Sequence, residues 1–380
     1  MKKIMIMAGE ASGDMHGASL VGEIRKQDAS VDFFGVGSRQ MKEAGVRMLA
    51  DASELSVAGF TAVLARLGTI YRIYAHLKEF LRRERPDLLV LIDFPDFNIL
   101  LGKTARKLGI PVLYYISPQV WAWRKGRIKT IARMAKAVIV VFPFEVPLYE
   151  QAGVDVRFVG HPLADVVRSY LSPEQAKGAF GLDAARRTVA LLPGSRKSEL
   201  IHLLPDMLSA AQMLLARFPD LQFVLPVAPT LDSGFVRSFL DRAAVPVRVA
   251  EGRTYDVLRA SDAAIVASGT ATLETGLMAV PMVVVYRISA LNYFILTKLV
   301  RGVKDIGLVN IVAGKRIVPE LVQKDSTPRN MADAVTAMLS DPAYYRGMHD
   351  DLVQMRRQLG EAGASRRAAS VAREFLMRTE

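Results

Sequence analysis

Thr188-Val189-Ala190-Leu191-Leu192-Pro193-Gly194-Ser195-Arg196 stands at the middle of a chain of 380 residues. A short apolar run enters a Pro-Gly turn, an arginine follows, and a helical pattern begins near Glu199. Parallel strands need a crossover, so a strand that turns into a helix is half of a βαβ unit. The same unit recurs on the C-terminal side, where residues 222–227, 245–249, 263–266 and 282–286 read as strands. It recurs on the N-terminal side too, at residues 4–8, 31–36, 88–92, 112–116, 137–142 and 157–159. A polar stretch from Ser172 to Arg187 separates the two series. The fold class is therefore α/β, with two doubly wound Rossmann-like domains facing a cleft. Expected boundaries are an N-terminal domain at residues 1–165 and a C-terminal domain at 166–345. Charged helices over 346–380 are expected to pack back toward the N-terminal domain.

Composition narrows the chemistry. Hydrophobic residues make up 51% and charged residues 23%, as in a globular enzyme and unlike a disordered chain. The absence of cysteine excludes disulfides, thiolate catalysis and iron–sulfur clusters, and suits a reducing compartment. Residues 4–8 are too short an apolar run for a secretory leader, and none approaches the roughly 20 residues of a spanning helix. The expectation is a cytoplasmic protein. The formal charge of +12 is spread over both halves, +7 in residues 1–160 and +5 in 161–380. Such a surplus favours phosphorylated substrates or acidic lipid surfaces. With no zinc finger or other recognition motif, nucleic acid is not an expected partner.

In open parallel sheets ligands gather at the carboxyl ends of the strands. The first such loop, Gly9-Glu10-Ala11-Ser12-Gly13-Asp14, is followed by His16 and meets neither the dinucleotide nor the P-loop pattern. Glu10, Ser12, Asp14 and His16 suit a polar ligand, but a tight turn capped by Ser12 or Asp14 accounts for them equally well. Ser195 and Arg196 precede a helix and can donate to an anion. In Ser268-Gly269-Thr270-Ala271-Thr272-Leu273-Glu274 the hydroxyls and free amides of a helix start form a diphosphate cradle that needs no metal. Glu274 is placed to accept from ribose hydroxyls, or to complement the helix dipole. Together these loops predict nucleoside diphosphate binding in the C-terminal half, with no cofactor or metal.

Asp93-Phe94-Pro95-Asp96-Phe97-Asn98 looks like an acid/base station, since partial burial beside aromatics raises a carboxylate pKa. One of the two aspartates is expected to cap the helix that follows, and Asp96 is the better placed. Trp121 and Trp123 read as pocket-lining, and His161 ends the first series facing the cleft. Apolar residues from Leu55 to Leu81 recur at helical spacing beside arginines. A core-packed helix explains residues 70–81, whereas 57–68, with Val63, Leu64 and Leu67, reads as a lipid-facing patch.

These motifs, in this order and over nearly the whole chain, resemble those of the lipid-A-disaccharide synthases. The resembling segments are Gly9–Asp14, Asp93–Asn98, Ser117-Pro118-Gln119-Val120-Trp121-Ala122-Trp123-Arg124, Pro193–Arg196 and Ser268–Glu274. The resemblance implies an inverting GT-B-like glycosyltransferase. Its donor would be UDP-2,3-diacylglucosamine and its acceptor 2,3-diacylglucosamine 1-phosphate (lipid X), joined through a β-1′,6 linkage with release of UDP. It also implies peripheral attachment to the inner face of the inner membrane, and a homodimer formed by exchange of C-terminal domains. Asp93, Arg196 and Asn310 would be functional. Two alternatives remain at this point: another GT-B-like UDP-sugar enzyme, such as a non-hydrolysing epimerase, and a non-catalytic module that binds UDP-sugar or lipid.

Overall fold

The computed structural model describes residues 2–55, 67–118, 126–288 and 305–377. Among them run two parallel sheets. The first holds β1 (Lys3–Ala8), β2 (Asp32–Gly37), β3 (Arg47–Asp51), β4 (Leu88–Ile92), β5 (Val112–Tyr115), β6 (Ala137–Val140) and β7 (Asp155–Phe158). Their order across the sheet is β3-β2-β1-β4-β5-β6-β7. The second holds β8 (Thr188–Leu192), β9 (Gln222–Val227), β10 (Val247–Glu251), β11 (Ala263–Ala267), β12 (Met282–Tyr286) and β13 (Glu320–Val322). Its order is β10-β9-β8-β11-β12-β13. In both sheets the winding reverses beside the first strand, between β1 and β4 and between β8 and β11. The loops after those four strands occupy the two switch points, where such sheets bind ligands.

The central strands form because they are apolar throughout. β4, Leu-Leu-Val-Leu-Ile, is buried at all five positions, as a strand covered on both faces must be. β3 and β13 were not expected from the sequence. Both are edge strands with polar ends, Arg47 and Asp51 in one and Glu320 in the other, so neither writes an apolar run. The Leu67–Glu84 helix buries Ile73, Leu77, Phe80 and Leu81 on the first sheet, in keeping with a core-packed helix over 70–81. The lipid-facing patch read at 57–68 lies outside the described residues except for its last two; Leu67 is half exposed.

The chain forms two compact units, Met1–Asp165 with Gly360–Glu380, and Val166–Leu359. The segment expected as one pair of returning helices therefore divides. The Pro342–Gln358 helix buries Met348, Leu352 and Met355 and packs on the Thr270–Leu277 and Leu308–Ala313 helices of the second unit. The Ala364–Met377 helix packs on the Ala11–Gln27 helix of the first, through Ala368, Ala369, Ala372 and Leu376. Its start is fixed by the Asp165 carboxylate, which accepts from the backbone N–H groups of Gly363, Ala364 and Ser365.

Candidate active site

At the first switch point the chain turns sharply after β4. Asp93 and Phe94 both take left-handed backbone, with φ of 43° and 45°, which costs a non-glycine residue about 1–3 kcal/mol. The turn is held from behind. Asn98 Nδ2 donates to the carbonyls of Ile92 (3.0 Å) and Asp93 (2.8 Å), and the Tyr114 hydroxyl donates to the same Asp93 carbonyl at 2.8 Å. The Asp93 N–H donates to the Ile116 carbonyl at 3.2 Å. So fixed, the Asp93 carboxyl is largely buried, and its pKa rises to about 6, first from burial and then from the negative charge of Glu10. Glu10 is exposed at the start of the Ala11–Gln27 helix, and Ser12 is exposed in its first turn.

Other polar residues of the first unit are employed by the protein itself. Asp14 is 2% exposed and accepts from the backbone N–H groups of Ser38 (2.6 Å), Gln40 (2.9 Å) and Met41 (3.2 Å). It satisfies the amides that open the Arg39–Glu43 helix, which is a structural duty rather than a ligand contact. Asn98 is fully buried, and its Nδ2 braces the Asp93 turn rather than facing solvent. Asp96 does not cap: Pro95 takes the first helical position, so Phe94 is the N-cap and Asp96 lies in the first turn, exposed and ion-paired with Arg127. His16 and His161 are buried edge to face, with centroids 6.4 Å apart. His161 Nδ1 accepts from the Leu163 N–H at 3.1 Å, which leaves its proton on Nε2. Trp121 lies outside the described residues.

At the second switch point the loops after β8 and β11 enclose a cavity of about 250 Å³. Ser195, Arg196, Ser268, Gly269, Thr270 and Glu274 all line it. Gly269 has a φ of 153°, open only to glycine, and ends the turn from which the Thr270–Leu277 helix starts. The helix start therefore presents amides with no side-chain cap, a cradle suited to an anion. Ser268 Oγ donates to the Ile306 carbonyl at 3.1 Å. Glu274 is largely buried, which raises its pKa, and accepts from the Tyr255 hydroxyl at 3.0 Å. A larger hollow of about 820 Å³ sits at the other end of the strands, before β8 and β9, among Arg186, Arg187 and Arg217. Their guanidiniums are engaged by Asp220, the Leu339 carbonyl and Asp333, so it offers an anion less than the smaller cavity does.

Two residues expected at this site are structural. Thr272 is buried with its hydroxyl on the Gly269 carbonyl at 2.8 Å. Asn310, 1% exposed, donates to the Val318 carbonyl and Glu320 and accepts from the N–H groups of Ile317 and Val318. It ties the Leu308–Ala313 helix to the approach to β13 with its amide fully used.

A family model described as lipid-A-disaccharide synthetase matches residues 4–375. The chain belongs to that family. It is 50% identical to the lipid-A-disaccharide synthase of Geobacter sulfurreducens over 98% of this chain and 97% of that one. With the lipid-A-disaccharide synthase of Syntrophus aciditrophicus it shares 48% identity over 100% and 99% of the two. The family makes this an enzyme of lipid A biosynthesis, a glycosyltransferase. Solved structures agree on the fold. A putative UDP-N-acetylglucosamine 2-epimerase from Listeria monocytogenes superposes with a TM-score of 0.69 at 14% identity, covering 100% of this chain and 97% of that one. The MurG of Acinetobacter baumannii superposes with a TM-score of 0.61 at 16% identity, covering 98% and 100%. These likenesses establish the GT-B architecture and nothing finer.

For a member of the lipid-A-disaccharide synthetase family, the described residues contain no helix long and apolar enough to cross a membrane. Sequence reasoning passed over Tyr114, Tyr255 and Glu199 at the two switch points. Tyr114 and Tyr255 leave no signal, since each reads as one more apolar residue of a strand or helix. Glu199 does leave one, because a carboxylate three residues after an N-cap is the capping-box spacing.

Proposed function

We propose that this enzyme condenses UDP-2,3-diacylglucosamine with lipid X, forming the β-1′,6-linked disaccharide 1-phosphate and releasing UDP with inversion at the anomeric carbon. Asp93 is the general base. Its carboxylate takes the proton of the acceptor 6-hydroxyl as that oxygen attacks the anomeric carbon and the bond to the UDP oxygen breaks. Arg196, Thr270 and the uncapped helix start carry the diphosphate, whose charge grows in that step, while Ser268, bonded to the Ile306 carbonyl, shapes the wall of the cavity. Glu274 accepts from the ribose hydroxyls. Glu10, Ser12, His16, Trp121 and His161 belong to the acceptor side, with residues 1–165 as the acceptor domain. The observation that carries the reading is the environment of Asp93. A carboxyl with a pKa of about 6, held on a braced turn at a switch point, is ionised at neutral pH and more basic than a solvated one.

The same proposal places the enzyme at the cytoplasmic face of a membrane, as a homodimer. Support for membrane contact comes from the outer face of three adjacent helices, Leu67–Glu84, Pro95–Lys107 and Gly126–Met134. A hollow of about 570 Å³ there is lined by Lys103, Arg106, Lys107 and Arg133, none of which has an ion-pair partner among the described residues. Leu67, Tyr71 and Leu100 are exposed on those helices, at 51%, 73% and 48%. Cations beside exposed apolar side chains fit an anionic lipid surface. The dimer is supported by the family resemblance alone.

The test is UDP release from acylated donor and acceptor. Release that requires both lipids, with a disaccharide product, is expected. Epimerised donor formed without acceptor would overturn the reading. Replacing Lys103, Lys107 and Arg133 with Gln should weaken sedimentation with phosphatidylglycerol vesicles, and unchanged sedimentation would remove this surface from the proposal.

A further inference from the structure

The anion-suited loop after β8 already contains an anion. Glu199 Oε2 accepts from the backbone N–H of Ser195 at 2.8 Å and from that of Arg196 at 3.2 Å, while Oε1 lies 3.3 Å from Arg196 Nη1. The carboxylate folds so tightly into the loop that a Cβ on Gly194 would sit 2.2 Å from Oε2. Gly194 has a φ of 110°, so glycine is required there on two counts. Glu199 lines the same cavity as Arg196, Ser268 and Thr270, and only about a quarter of its side chain is exposed, against most of that of Arg196. The two loop amides just ahead of the Lys197–Arg217 helix, those of Ser195 and Arg196, which an incoming phosphate would otherwise use, are therefore occupied from within.

We infer that Glu199 is a built-in competitor for the diphosphate: it holds the loop in shape and, by its charge, weakens the grip on UDP. The inference rests on the proposed binding of UDP in this cavity. Like charges a few ångströms apart at a part-buried site repel by an amount that matters. The ion pair also neutralises part of Arg196, the cation meant for the ligand. In a transferase this has a use. UDP is the product that must leave, and a pocket tuned for the tightest diphosphate binding would turn over slowly once release limits the rate.

Glu199→Gln separates the two duties, because the amide oxygen can still accept from the loop N–H groups while the charge is gone. Calorimetric titration of the full-length wild type and variant with UDP and with uridine provides the test. Glu199→Gln should bind UDP about tenfold tighter, on the order of 1.4 kcal/mol, and uridine within twofold of wild type. The gain should shrink as salt rises. Glu199→Ala, which lacks the acceptor, should lose the loop's shape and bind both ligands more weakly than Glu199→Gln. UDP affinity in Glu199→Gln equal to or below that of wild type would overturn the inference alone. A wild type that binds uridine and UDP equally well, or neither, would overturn the diphosphate reading of the cavity and the inference with it.

Discussion

The ring of Phe94 lies across Gly9, so close that a Cβ at position 9 would stand 2.3 Å from Phe94 Cγ. The loop after β1 and the loop after β4 thus meet at a glycine, and the residue it meets is the neighbour of Asp93. Gly9→Ala must displace the ring, and with it a turn already held in left-handed backbone. Overpacking of this kind costs typically 1–3 kcal/mol. A lower melting temperature together with a clear drop in turnover, neither shown by a surface control such as Gly178→Ala, is expected. Normal turnover in Gly9→Ala would show that the contact leaves Asp93 undisturbed.

Asp93→Asn should lower turnover by about 10²–10⁴-fold, the usual loss on removing a general base. UDP affinity should hold, since the loops proposed to take the diphosphate belong to the second unit. In the wild type the acid limb of the rate profile should fall near pH 6, where Asp93 takes up its proton. Stability moves the other way. The folded pKa is raised above the ordinary 3.8, so the stability contributed by the neutral acid is complete below 3.8 and is lost as pH rises through about 6. Asp93→Asn should therefore melt higher than wild type at pH 8 and alike at pH 3.5. A variant less stable than wild type at pH 8 would mean that the charge is welcomed by its surroundings.

Arg196→Ala should weaken UDP binding by about tenfold or more, the worth of one charge-assisted contact. Its effect on uridine should be small. Glu274→Ala should weaken both, because the ribose is common to them. Isothermal titration with the two ligands tells the roles apart, and unchanged UDP affinity in both variants would sink the assignment.

His16 and His161 sit well below the ordinary 6.5, at about 4 and about 3, chiefly because burial disfavours the charged ring. The Asp165 charge pulls His16 partly back up, and a charged His16 would lower His161 further. The unfolded chain takes up these protons first. The stability tied to the neutral pair is therefore complete above pH 6.5 and is lost as pH falls toward 4 and 3. His161→Asn can keep the acceptor for the Leu163 N–H and should flatten the fall in melting temperature between pH 7 and pH 5. Parallel curves for variant and wild type would show that the pair does not set this dependence.

How much of this could be read from the chain alone depends on what each residue pairs with. β4 and β8 announce themselves, because a strand buried on both faces must be apolar at every position. The turn residues after them, Asp93 and Arg196, are legible for the same reason, being the first charged groups past such a run. Asp14 and Asn310 look the same in sequence whether they meet a ligand or a backbone amide. Their burial, at 2% and 1% exposure, and their hydrogen bonds to backbone N–H groups assign them to the amides. Asp96 reads as the cap but lies inside the helix, because proline is a good first helical residue and starts the helix two residues earlier than the pattern suggests. Edge strands such as β13 stay hidden, since half of their pairing faces away from the sheet.

The Ala364–Met377 helix covers Leu20, Val21 and Ile24 on the first unit, although more than 300 residues of synthesis separate the two. On the ribosome the first sheet can form long before its cover exists. The growing chain must carry that apolar strip through the whole making of the second unit, so translation imposes an order in which the first unit begins first and finishes last. Premature termination between residues 360 and 364 would leave a second unit able to fold beside a first one with an open flank, the kind of nascent product that chaperones retain. The first unit is therefore closed only once the Ala364–Met377 helix has been made, and the strip of Leu20, Val21 and Ile24 is what waits for it.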